Sequence, residues 1–179
     1  MTVPTPAPRA AVVYESMFGN TAAIAAAVAD GLRREGMEVV TTDVTDLAND
    51  DLAVDLLVVG APTHAFGLSR PSTRTEAVNQ GADQAHATTG LREWLAAVPK
   101  GGGPPVATFD TRMSKVRGMP LGAAQSAARL ARRRGLKVVG RPATFIVSDT
   151  RGPLADGESE RACSWGRALA AGVGSESHA

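Results

Sequence analysis

Apolar runs of strand length alternate along this chain with longer stretches in which apolar residues recur at helical spacing. That rhythm predicts a parallel sheet covered by helices on both faces. After a proline-stiffened lead-in over residues 1–9, Ala10-Ala-Val-Val-Tyr14 reads as the first strand. Ile24, Val28 and Leu32 then return every four residues, marking the inward face of a helix that ends near Gly36. Met37 to Thr42, with β-branched Val39 and Val40, gives a second strand. Leu52 to Gly60 gives a third, whose run Leu56-Leu-Val-Val59 is apolar enough to be buried on both faces.

Further on, Leu91, Trp94, Leu95 and Val98 follow at helical spacing, and Pro104-Pro-Val-Ala-Thr-Phe109 forms a fourth strand opened by prolines. A helix from Leu121 to Arg134 sets Leu121, Ala124, Ala128 and Ala131 on its apolar side, is basic on the other, and is closed by Gly135. The last strand region, Lys137 to Ser148, is expected to break at Arg141-Pro142, because proline cannot donate to a central ladder. A final helix from Leu154 to Ala171 turns Ala162, Trp165 and Leu169 to one face, and residues 172–179 read as a frayed tail. The count is five strands and five helices in one domain over residues 10–171. Between Ala61 and Gly90 the chain is polar, and far longer than the usual connection of about 2–6 residues. That stretch reads as a functional or mobile loop.

Composition narrows the function. With 179 residues the chain is one domain's worth, and 19 Lys+Arg against 18 Asp+Glu leave a charge of +1, which advertises neither a nucleic-acid surface nor a polyacidic partner. Aromatics are 4% of residues, too few for a platform that stacks single-stranded bases. The single cysteine, Cys163, excludes an internal disulfide and a thiolate-rich metal site and fits a reducing cytoplasm. Lying near Ala162 and Trp165 in a helical pattern, it reads as a packed thiol. No apolar run approaches the ~20 residues that span a bilayer, and the N-terminus lacks the regions of a secretion signal. A cytoplasmic protein with no membrane or nucleic-acid partner is the expectation.

In an open parallel sheet, ligands bind beyond the carboxyl ends of the strands where the strand order reverses, so the loops leaving strands one, three and four carry the chemistry. Strand one runs into Glu15-Ser16-Met17-Phe18-Gly19-Asn20-Thr21 and then a helix. The hydroxyls of Ser16 and Thr21, the Asn20 amide, a permissive Gly19 and a helix N-terminus offer many donors to a phosphate without a lysine. The loop matches neither the triphosphatase pattern, whose lysine is missing, nor the three spaced glycines of dinucleotide sites. The same residues also make an ordinary helix cap and turn.

Ser16-Met-Phe-Gly-Asn-Thr21 resembles the phosphate loop of flavodoxin-like proteins, a family that binds flavin mononucleotide (FMN) there. Many flavodoxins carry Ser or Thr where this chain has Phe18, and the form here is similar to the flavin domains of flavodiiron proteins. The resemblance implies phosphate contacts from Ser16, Asn20, Thr21 and the backbone around Met17, Phe18 and Gly19. Gly60-Ala-Pro-Thr-His-Ala-Phe-Gly67 resembles the Gly-x-Pro-Thr loop that lines the ribityl chain and one ring face. It implies Pro62 and Thr63 on the ribityl and pyrimidine side, His64 or Phe66 near the ring, and a Gly67 free to reorient toward the flavin N5. Taken alone, His64 reads as a solvated loop histidine. Phe109-Asp110-Thr111-Arg112 stands where the family has its other flavin-contacting loop, but no tyrosine follows Phe109, which reads equally as a buried last residue of the strand. A ring uncovered on its outer face is freer to meet a substrate.

Over nearly the whole chain the resemblance implies an α/β, three-layer α/β/α flavodoxin-like fold with a five-stranded parallel sheet in the order 2-1-3-4-5. A response-regulator receiver shares that topology but needs an acidic pair after strand one, an Asp ending strand three and a Lys ending strand five. This chain has Glu15-Ser16, Gly60 and Ser148 there. The implied function is electron transfer through bound FMN to a redox partner protein or a small-molecule acceptor. Two alternatives stand beside it: a small FMN-dependent reductase of quinone-type acceptors, and a flavin-free binding module. No catalytic residue or metal ligand is assigned. Arg70, Arg74, Arg112, Lys115 and Arg117 lie in or after the flavin loops. Coulomb's law then gives a less negative potential than that of the typically acidic carriers, unless the arginines are merely solubilising. Of the seven rings, Tyr14, Phe18, Phe66 and Phe109 lie at or beside the three loops, whereas Trp94, Phe145 and Trp165 read as core.

Overall fold

The computed structural model describes residues 6–47, 53–116 and 121–176, with side chains through residue 115 in the second span and residue 173 in the third. The start of the lead-in, Leu52, Arg117 and the end of the tail lie outside the described residues. Five strands, β1 (Arg9–Tyr14), β2 (Glu38–Asp43), β3 (Leu56–Pro62), β4 (Val106–Met113) and β5 (Ala143–Val147), pair in parallel in the order β2-β1-β3-β4-β5. Five helices connect and cover them: α1 (Asn20–Arg34), α2 (Pro71–Asn79), α3 (Leu91–Ala97), α4 (Ala123–Arg133) and α5 (Glu158–Glu176). No helix among the described residues is long and apolar enough to cross a membrane.

Alternate strand residues feed two cores, as a sheet buried on both faces requires. Val12, Leu56, Val58, Phe109 and Phe145 face α1 and α5, where Ile24, Val28 and Leu32 are fully buried. Ala11, Val13, Leu57 and Val59 face α3 and α4. Phe109, Phe145 and Trp165 meet edge to face, with ring centroids 6.0–6.1 Å apart, a favoured aromatic geometry. Cys163 is half-buried against α1, its Sγ 3.7 Å from Asp30 Oδ2, so its neighbour is polar as well as apolar.

Four sequence expectations are corrected. The stretch read as one long loop contains α2 and a 3₁₀ turn at Gln84–Ala87. α2 buries only Arg74 and Ala77, so it has no apolar stripe, although Pro71 at its first position is a recognised start signal. β4 continues four residues past Phe109, because Asp110, Thr111 and Arg112 are buried with partners rather than solvated. Leu121 precedes α4 and is 44% exposed, while Ala123, Ala124, Ala127, Ala128 and Ala131 form the buried face. α5 begins at Glu158 rather than Leu154, because Leu154 bridges to Val147 and the Ala155 amide bonds the Ile146 carbonyl. The last strand region does break where proline predicts it: Lys137 and Val139 bond Val106 across the β4 edge, and β5 proper starts after Pro142.

Candidate functional site

The carboxyl ends of β1, β3 and β4 open into a cavity of about 310 Å³, at the lower end of small-molecule pocket sizes. Its first wall is the turn into α1. Gly19 sits at φ +90°, a left-handed conformation that suits glycine, and is the residue from which α1 springs. Ser16 Oγ accepts from the Gly19 and Ala22 amides, both at 3.2 Å, and so caps the helix while its own hydrogen stays available to donate. The Asn20 and Thr21 amides belong to the first helical turn, where no preceding carbonyl is in place to receive them. Thr21 Oγ1 lies 2.8 Å from Thr111 Oγ1, tying this turn to β4. Met17 and Phe18 pack on Ala77, Val78 and Ala82, and the Arg151 guanidinium lies over the Phe18 ring at 5.3 Å while bonding the Gln80 carbonyl.

The second wall follows β3. Pro62, Thr63 and His64 line the cavity, but Thr63 is also a structural bridge, since its Oγ1 donates to Asp110 Oδ2 at 3.1 Å and accepts from the Ala123 amide at 3.0 Å. His64 and Gly67 exchange backbone hydrogen bonds of 2.9 and 3.0 Å, closing a tight turn. Its two central residues are Ala65 at φ +44° and Phe66 at φ +67°, positions that such turns usually give to Gly or Asn. The left-handed conformations of this turn thus fall on Ala65 and Phe66, the two residues before Gly67. Phe66 is 49% exposed and does not line the cavity, whereas Ala65 does. Burial, and secondarily the Arg74 charge, hold the His64 imidazole below its ordinary pKa, favouring the neutral ring.

The third wall is the end of β4, a strand where the sequence predicts a loop. Phe109 lies in the core, and Asp110 is fully buried; neither lines the cavity. Thr111, Arg112 and Met113 do. Asp110 receives Arg112 through Nε at 3.2 Å and Nη2 at 2.7 Å, and also accepts the Ala124 amide at 3.1 Å. Thr63 and Asp110 therefore cap α4 from outside it. Among the four rings placed at the loops, Phe18 alone lines the cavity; Tyr14 is half-buried toward Asp43 and Asp46, which with burial raise its phenol pKa.

The fourth wall comes from the stretch read as a functional or mobile loop, in which the sequence assigns no residue beyond Gly67 to the site. α2 turns Thr73, Glu76, Ala77 and Gln80 to the cavity, spaced as one helical face. Val147 and Thr150 close the remaining side from the end of β5. The electrostatics differ from the expectation as well. Arg112 is neutralised by Asp110, and Arg74 is buried beside Glu93 and Glu15. Of the basic residues expected near the flavin loops, only Arg70 and Lys115 are exposed among those described, and Glu76 adds an acid to the wall.

Comparison with known proteins agrees with this architecture. The flavodoxin family model matches residues 12–91, which run from β1 to the start of α3. No curated protein sequence matches the chain. Among solved structures, a flavodoxin from the domain Archaea superposes with a TM-score of 0.65 at 22% identity, covering 92% of this chain and 98% of that one. The flavodoxin of Streptococcus pneumoniae TIGR4 gives 0.63 at 20% identity, covering 92% and 99%. The flavodiiron protein of Giardia intestinalis gives 0.60 at 22% identity, covering 92% of this chain but 36% of that one. The chain carries the flavodoxin family's sequence signature over residues 12–91 and has the flavodoxin-like fold throughout its described domain.

Proposed function

We propose that the cavity takes FMN and that the protein is an electron-transfer flavoprotein. The observation that carries this reading is the start of α1, where Ser16, Asn20 and Thr21 line the cavity with hydroxyl, side-chain amide and helix-terminal N–H donors. That donor set fits a phosphate monoester: it supplies hydrogen bonds and the positive end of a helix. The other walls suit a ring system, being apolar at Met17, Phe18, Pro62, Ala65, Ala77 and Met113 with a few polar groups between them.

Bound FMN would supply the redox chemistry. The protein's part is to hold and bias it. Ser16, Asn20 and Thr21 would hold the phosphate, and Pro62, Thr63 and Thr111 the chain that leads from it. Arg112 would face the cavity as half of an ion pair, so its charge is partly cancelled by Asp110 before it acts on anything in the cavity. Neutral His64 adds no charge of its own.

A second reading, reduction of small acceptors such as quinones, is favoured by α2, which gives the cavity a wall beyond the three loops. Absorption spectroscopy of the purified protein, before and after reconstitution with FMN, tests the first proposal; the expected result is the flavin bands in the protein fraction. Absence of those bands after reconstitution overturns it. Turnover of NAD(P)H with a quinone separates the reductase from a carrier that reacts only with partner proteins.

A further inference from the structure

α2 forms a cavity wall with little apolar packing to hold it: it buries only Arg74 and Ala77, and its apolar contacts are those of Ala77 and Val78 with Met17, Phe18 and Ala82. Arg74 is fully buried. Its Nη1 donates to Ser69 Oγ at 3.1 Å and lies 3.1 Å from Glu93 Oε2. Nε and Nη2 of the same guanidinium are buried without a hydrogen-bond partner among the described residues, so one nitrogen makes the whole connection.

Glu15, the residue before Ser16, is fully buried too, and its Oε2 accepts the Leu91 amide at 2.7 Å. Gly90 shows how closely these groups converge. A methyl there would come within 2.6 Å of Arg74 Nη1, 2.9 Å of Glu15 Oε2 and 3.0 Å of Ser69 Oγ. A single polar cluster therefore joins the end of β1, the start of α2 and the start of α3, directly behind the turn that begins with Ser16. The cavity walls use none of these side chains.

We propose that Arg74 is a positioning residue: its clasp on Ser69 and Glu93, opposite Glu15, fixes α2 so that Thr73, Glu76 and Gln80 wall the cavity, and thereby sets how tightly the ligand is held. The effect on ligand affinity rests on the FMN reading; the effect on α2 does not. A helix with so little apolar burial belongs to the low-stability end of a fold, so the buried polar anchor at its start weighs heavily in keeping it in place. The anchor is also one that a lysine can reproduce, because Nη1 alone of the three guanidinium nitrogens has a hydrogen-bond or ion-pair partner among the described residues.

Three proteins test this: the wild type, Arg74→Lys, and the double variant Arg74→Met with Glu15→Gln, which leaves no buried charge stranded and so keeps the fold accessible. Amide exchange over residues 71–79 and FMN affinity by flavin fluorescence are the readouts. In the double variant, exchange in α2 should quicken about tenfold and FMN binding weaken about tenfold, with α1 and α4 amides unchanged. Arg74→Lys should restore both to near wild type. Wild-type exchange over α2 in the double variant, wild-type FMN affinity alongside faster exchange, or an Arg74→Lys protein that behaves like the double variant each overturns the proposal. A wild type that binds no FMN sinks the flavin reading instead, and the exchange comparison then decides the role of Arg74 alone.

Discussion

Arg112 Nη2 lies 2.7 Å from Asp110 Oδ2, two residues away on the same strand, and both side chains are buried. The pair does two things at once. Asp110 reaches on to the Ala124 amide and to Thr63, so the charge that neutralises Arg112 also seats α4 and the loop after β3.

Gly122 is the site at which this arrangement is most easily broken. A methyl there would overlap Arg112 Nη2 and Asp110 Oδ2. Gly122→Ala should cost about 1–3 kcal/mol, the usual penalty for overfilling a packed site, read from chemical denaturation. Arg112→Met, which strands a buried carboxylate, should cost more, about 3–5 kcal/mol. A Gly122→Ala protein as stable as wild type would show that the pair can shift without loss.

Ser16 joins stability to binding through one hydroxyl. Ser16→Ala removes the acceptor for two amides and should destabilise the protein by about 1 kcal/mol in thermal melts. If the free hydroxyl hydrogen meets a phosphate, FMN affinity should fall more than riboflavin affinity, since riboflavin carries no phosphate. Equal losses for the two ligands would place the phosphate elsewhere.

Glu15 yields a pH prediction. Burial raises its carboxyl pKa above the ordinary 4.5, against the opposing Ser69 hydroxyl, Leu91 amide and Arg74 charge. A carboxyl with a raised folded-state pKa contributes its full stability below 4.5 and loses it as pH rises through the folded-state value. Glu15→Gln should therefore match the wild type in acid and be the more stable protein at neutral pH, in melting temperatures taken across that range. A variant less stable at neutral pH would mean that the partners outweigh burial.

The turn from His64 to Gly67 stores backbone strain. Ala65 holds φ +44° and is exposed, so little buried area is lost on removing its methyl. Ala65→Gly should raise stability by about 1 kcal/mol, measured as a shift in denaturation midpoint. No gain would mean that the turn holds this conformation without strain.

Much of the fold was legible along the chain because apolar period is a local property. Ile24, Val28 and Leu32 announce α1, Leu56 to Val59 announce a strand buried on both faces, and Pro142 marks the break before β5. The cap at Ser16 and the Gly19 turn were legible for the same reason, since their partners lie within six residues. Only the tertiary structure decided what becomes of polar residues in the interior. Asp110 and Arg112 look like a loop until β4 folds against α4, and α2 looks like irregular chain until Arg74 meets Ser69 and Glu93. Thr21 finds Thr111 90 residues away, and Glu15 finds Leu91 76 residues away. A buried charge is stable only beside its partner, and the partner's place is set by the fold rather than by its neighbours in the chain.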